Sequence, residues 1–182
     1  MIKVCAIFAS PNKNGITAAV LNSFINKLDN VQIDTFDAFD LAAKPCIGCG
    51  ACKKEERCIY RDLNTLFESL ENSDLLIVAS PVYCLSVPAP LKAIVDRFQR
   101  YYNARFSLGK RPAIEKSRRA VLLMTAGSDR ESGDVVVKQL ERCFSVMNTK
   151  IATSVMLNNT DDHYYSDDEI EKAAAFALSQ LY

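Results

Sequence analysis

The chain carries one histidine, His163, and no surplus of either charge: 22 Lys and Arg balance 22 Asp and Glu over 182 residues. A lone histidine in a polar stretch is expected at the surface rather than in catalysis. Balanced charge gives no sign of a nucleic-acid partner or of an anionic membrane surface. No apolar run reaches the ~18 residues of a membrane-spanning helix. The phosphate-binding patterns G-x4-G-K-[ST] and G-x-G-x-x-G are both missing, which excludes a P-loop and the usual dinucleotide fingerprint. The opening Met1-Ile2-Lys3-Val4 runs straight into an apolar strand pattern without the three-part organisation of a secretory leader, so the expected location is cytoplasmic.

What the chain does have is cysteine. Four of its seven cysteines, Cys46, Cys49, Cys52 and Cys58, fall within thirteen residues as C-x2-C-x2-C-x5-C, with Gly48 and Gly50 between them. A disulfide framework spreads cysteines to staple distant segments, and in a reducing compartment a cluster reads as metal-binding or catalytic. Zinc sites pair two C-x2-C arms across a longer gap. Overlapping arms suit an iron–sulfur cubane better. A 4Fe-4S cluster, zinc and a loop of free thiols all remain open. Lys53, Lys54 and Arg57 suit either a negative cluster or a solvated turn. Cys5 and Cys143 read as small core residues. Of the other three cysteines, Cys84 alone is placed to reach a site.

Apolar patterning supplies the frame. Residues 2–9, 75–79 and 120–125 are near-continuous apolar runs, as in strands covered on both faces. Residues 31–36 and 150–157 complete five expected strands. Helices are expected over 16–28, 64–71, 88–102, 133–148 and 167–181, and a loop over 106–117. Alternating strands and helices predict one domain over residues 1–182, an α/β doubly wound three-layer sheet of five parallel strands in the flavodoxin-like order 2-1-3-4-5. A ligand is then expected beyond the C-terminal ends of strands one, three and four, at loops 10–17, 80–86 and 125–130.

The first loop has hydroxyls at Ser10 and Thr17, amides at Asn12 and Asn14, and Gly15 before a helix N-terminus, which makes a phosphate cradle. The second, Pro81-Val82-Tyr83, offers backbone amides and a ring to a planar ligand. The third, Thr125-Ala126-Gly127, is small enough for a flat ligand to approach. Each alone reads equally well as an ordinary turn; their convergence on one edge makes the joint reading stronger. Asp96-Arg97 reads as a structural ion pair.

Taken together, Ser10-Pro11-Asn12, Asn14-Gly15-Ile16-Thr17, Ser80-Pro81-Val82-Tyr83, Pro88, Leu91-Lys92, Asp96-Arg97 and Thr125-Ala126-Gly127 resemble the NADPH-dependent FMN reductase group of flavodoxin-like proteins. With the cysteine loop after the second strand, the chain is most similar to the iron–sulfur flavoproteins of that group. The resemblance implies an FMN-dependent oxidoreductase. The FMN phosphate would lie on Ser10, Asn12, Asn14, Gly15, Ile16 and Thr17, and its isoalloxazine against Pro81, Val82, Tyr83, Thr125, Ala126 and Gly127. It also implies NAD(P)H as a substrate, electron transfer between a 4Fe-4S cluster and the flavin, small-molecule or protein electron donors and acceptors, and a homodimer or homotetramer. Two departures stand out. Ile59 rather than proline follows Cys58, unlike bacterial ferredoxins. The aromatic, basic stretch 100–117 has no role that its spacing assigns.

Overall fold

The computed structural model describes residues 1–127 and 131–181; the end of the third expected loop, residues 128–130, lies outside them. Five strands, β1 (Ile2–Phe8), β2 (Val31–Asp37), β3 (Leu75–Pro81), β4 (Arg118–Thr125) and β5 (Thr149–Leu157), form one parallel sheet in the order β2-β1-β3-β4-β5. The expected flavodoxin-like topology is therefore present.

Residues alternate between two apolar layers, as the period of two in a strand requires. Val4, Ala6 and Phe8 pack on the side of α1 (Ile16–Asn26) and α7 (Asp167–Ser179), where Val20, Leu21, Phe24, Ile170, Ala174 and Ala177 meet them. Cys5, Ile7 and Ala9 face the other layer, built from α3 (Asn64–Asn72), α4 (Ala89–Arg97), α5 (Gln99–Phe106) and α6 (Glu131–Ser145). The central strand β3 is buried along its whole length. That is why its sequence shows a continuous apolar run instead of alternation.

Three features depart from expectation. A one-turn helix, α2 (Ala38–Leu41), follows β2; its N-cap is Asp37, whose Oδ1 accepts from the Phe39 N–H at 2.8 Å. A 3-10 turn, Ala51–Lys53, sits inside the cysteine loop. The single helix expected over 88–102 is two helices, α4 and α5, meeting at Phe98, whose ψ of −8° leaves the helical value. Phe98 is buried there with Tyr101 against Phe67, ring centroids 5.9–6.5 Å apart.

At the other end of the chain, Ser166 and Glu169 form a reciprocal capping box on α7. His163 stays exposed, as expected, and bonds Glu169 through Nε2 at 3.0 Å. The Ser166 backbone and hydroxyl, then His163, pull the Glu169 carboxyl down to about 2.

Phe24 is fully buried between α1 and the sheet. Phe24→Ala is expected to destabilise the protein by about 3–5 kcal/mol through lost transfer energy and the cavity left behind. Urea unfolding followed by far-UV circular dichroism measures this as a lower midpoint at unchanged slope.

Candidate functional site

Register decides where the loops begin. Phe8 stands beside Ala79, and Pro81 beside Thr125, so β1, β3 and β4 end on one edge of the sheet. The ladder continues into the loops: Ala9 N–H donates to Ala79 O at 2.8 Å, Val82 N–H to Thr125 O at 2.8 Å and Ala126 N–H to Leu157 O at 2.9 Å. Thr17, on the first turn of α1, shares a buried hydrogen bond with Thr125 through their Oγ1 atoms at 2.8 Å. Ser10, Thr17, Pro81, Thr125 and Ala126 are buried at this junction. Residues 10–17, 81–83 and 125–127 are thus brought together.

The first loop folds on its own polar atoms. Asn12 N–H donates to Ser10 Oγ at 3.2 Å, Asn14 N–H to Asn12 Oδ1 at 3.1 Å and Gly15 N–H to Asn12 O at 3.3 Å. A Cβ on Gly15 would lie 2.8 Å from Asn12 Nδ2, so no side chain fits there without moving Asn12. Gly15 is the N-cap of α1 with no side-chain cap, and the first turn of α1 has no acidic residue. Its N–H groups are therefore open to an anion, with the positive end of the helix dipole behind them. Lys13 is committed elsewhere, to Asp37 at 3.0 Å and Asp40 at 2.7 Å. What this loop offers an anion is backbone N–H and hydroxyl groups rather than a cation.

In the second loop, Tyr83 and Ser86 exchange backbone hydrogen bonds of 2.8 and 2.9 Å across Cys84 and Leu85, which both take positive φ (50° and 58°). Two left-handed central residues make a type I′-like turn, and Cys84 and Leu85 adopt it without the help of glycine. Tyr83 is half-exposed at its start, and Cys84 is exposed at its tip. In the third loop, a Cβ on Gly127 would collide with the Asp161 carboxylate. The Asp161 carboxylate therefore packs against this loop, a neighbour that the sequence pattern did not indicate.

The four clustered thiols line one cavity of about 240 Å3, outside the α4–α5 junction. Among the described residues, no three His, Cys, Asp or Glu side chains converge on a single metal-ion position. Gly48 and Gly50 take φ of +65° and +75°, where other residues are strained, and this lets the loop curl around the cavity. Cys52 Sγ accepts a hydrogen bond from Asn103 Nδ2 at 3.0 Å. Cys5 is buried in the core and Cys143 partly buried, both as expected.

Arg97 is almost fully buried and holds the stems of the cysteine loop. Its Nη1 donates to Lys44 O at 3.1 Å and to Asp62 Oδ1 at 2.9 Å, and its Nη2 to Tyr60 O at 3.0 Å. The expected Asp96–Arg97 ion pair is not formed. Successive helical residues diverge around the axis, so Asp96 pairs with Lys92 on the exposed face while Arg97 turns inward to Asp62. Partial burial would raise the Asp62 carboxyl, but the Lys44 N–H and the Arg97 guanidinium outweigh it and hold it below the ordinary carboxylate range.

The sequence model of the NADPH-dependent FMN reductase family matches residues 2–162. The chain belongs to that family. An iron–sulfur flavoprotein of Archaeoglobus fulgidus is 30% identical over 129 residues, covering 69% of this chain and 56% of that one. Another, from Methanocaldococcus jannaschii, is 29% identical over 154 residues, covering 82% and 74%. For the first three such relatives the match spans only 56–64% of their length. An NAD(P)H:quinone oxidoreductase from Methanothermobacter marburgensis superposes with a TM-score of 0.70 at 19% identity, covering 97% of this chain and 92% of that one. This likeness confirms the family's fold.

Asp62→Ala is expected to cost about 3 kcal/mol, because Arg97 would keep a buried charge without its carboxylate. The sign of the acid response follows from the lowered Asp62 value. Its contribution is present above the ordinary carboxylate range and is lost as pH falls through the folded value. Chemical denaturation between pH 7 and pH 3 should therefore show a gap between wild type and Asp62→Ala that narrows on acidification.

Proposed function

We propose that the chain is an FMN-dependent oxidoreductase using NAD(P)H, with FMN at the three-loop edge of the sheet. The observation that carries this is the convergence of the loops, sealed by the buried Thr17–Thr125 hydrogen bond. The open N–H groups of α1 fit a phosphate, and a side chain on Gly15 would displace Asn12 from the loop. Ser10, Asn12, Asn14, Gly15, Ile16 and Thr17 would hold the phosphate. Pro81, Val82, Tyr83, Thr125, Ala126 and Gly127 would border the ring. FMN, when bound, supplies the hydride and single-electron chemistry. The protein's part is to orient the ring, present backbone amides to its polar rim and exclude water from its buried face. No side-chain acid, base or nucleophile is required for that role.

The cysteine loop supports a second cofactor under the same reading. A cavity of about 240 Å3 lined by four thiols is far larger than one ion held at the ~2.3 Å of a zinc–sulfur bond. Four thiolates, two left-handed glycines and the Asn103 donor suit a 4Fe-4S cluster. Cys46, Cys49, Cys52 and Cys58 would be its ligands, and its chemistry would be single-electron transfer. Relatives named as iron–sulfur flavoproteins favour this reading; its alternatives are a cluster-free NAD(P)H-dependent FMN or quinone reductase and a flavodoxin-type electron carrier. The small or protein donor and acceptor, a cytoplasmic setting and a homodimer or homotetramer belong to the same proposal.

Purification without oxygen is expected to give a flavin spectrum with added cluster absorbance, and iron and acid-labile sulfide in equal amounts. A protein that binds FMN but takes up no iron on reconstitution, and oxidises NAD(P)H with a quinone equally well after Cys49→Ser, would establish the cluster-free alternative. Thr17→Val keeps the side-chain volume and removes the hydroxyl. It is expected to weaken FMN binding to the apoprotein about tenfold, or ~1.4 kcal/mol, by quenching of flavin fluorescence. Unchanged affinity would remove Thr17 from the site.

A further inference from the structure

The stretch 100–117, together with Arg97 just before it, meets the cysteine loop at every level. Arg97 binds both stems, at Lys44 O and Tyr60 O. Arg100 Nη2 donates to Glu56 O at 2.9 Å, in the long arm between Cys52 and Cys58. Lys110 Nζ pairs with Glu56 Oε2 at 2.9 Å. Asn103 is buried, and its Nδ2 reaches Cys52 Sγ at 3.0 Å.

Ser107 Oγ donates to Asn103 Oδ1 at 3.3 Å, and with the oxygen held there the NH2 group faces the sulfur. A hydroxyl serves as donor or acceptor, so an acceptor-only ligating sulfur is what selects this orientation. A guanidinium stands beside the same cavity: Arg97 is among its lining residues, with its Nη atoms held by Lys44 O, Asp62 and Tyr60 O.

We infer that this segment is the recognition wall of the cysteine cavity, with Arg97 and Arg100 as positioning residues that clamp the loop. Asn103 donates an N–H to the Cys52 sulfur and raises the reduction potential of the cluster held there. The second half rests on the proposed cluster. N–H donation to a ligating sulfur favours the more negative, reduced state, so removing it lowers the potential.

The test uses the anaerobically reconstituted protein and three variants. In Asn103→Leu the midpoint of the cluster, followed by electron paramagnetic resonance during redox titration, should shift to more negative values at unchanged iron content, with the FMN midpoint unmoved. An unchanged cluster midpoint overturns the assignment. If Asn103→Leu retains no iron, Ser107→Ala decides: it frees the amide without removing it and should shift the midpoint the same way by less, whereas no shift overturns the assignment.

The clamp is read on protein without iron, by hydrogen–deuterium exchange. Arg100→Met should lose protection across residues 44–62 while β3 exchanges as in wild type; unchanged exchange in 44–62 overturns the clamp. A wild-type protein that takes up no iron refutes the cluster reading and the Asn103 assignment that rests on it, while the exchange measurement still tests the clamp.

Discussion

A parallel strand cannot return along its neighbour, so every strand of this sheet must leave by the same edge and cross back through a helix. That constraint generates the candidate site. It sets the ends of β1, β3 and β4 side by side, and the register of Phe8 with Ala79 and of Pro81 with Thr125 brings three loops to one line. The Thr17–Thr125 hydrogen bond then ties the first helical turn to the third loop. The burial that makes β3 a continuous apolar run and the convergence that makes a ligand edge have one cause.

The cysteine loop is attached at the same edge. β2 ends at Asp37 opposite Phe8, and Asp37 both caps α2 and pairs with Lys13 of the first loop. From there the chain passes to the far layer, where Arg97 holds its two stems. A guanidinium is suited to this, because its planar fork serves several acceptors at once and never loses its charge. One buried side chain thus does for an irregular loop what ladder hydrogen bonds do for the strands.

Much of this was legible in the sequence. The strands followed from apolar runs between polar turns, the layers on both faces from the continuity of those runs, and the order from right-handed crossovers in a doubly wound sheet. The loops 10–17, 81–83 and 125–127 were found because turn residues stand directly after buried strands. The thiol cluster declared itself by spacing. What stayed hidden depended on partners far apart in the chain. Nothing in Asp96-Arg97 tells which residue turns inward; that is decided by Asp62, 35 positions away. The break at Phe98 answers to packing on Phe67, which no helical period records. Asn103 looked like one polar residue in an aromatic, basic stretch, since only the fold sets it against Cys52.

The two candidate sites would receive negative charge by different means. At the three-loop edge the groups on offer are N–H dipoles and hydroxyls, with Lys13 neutralised by Asp37 and Asp40. Such a cradle is suited to a fixed charge, because dipoles at a helix terminus need only be placed once. At the cysteine cavity the group on offer is the buried Asn103 amide, because Arg97 is committed to Asp62 as Lys13 is to its carboxylates. Here the charge of the occupant would change with each electron, and an N–H dipole on a ligating sulfur favours the more negative state without gaining or losing a proton.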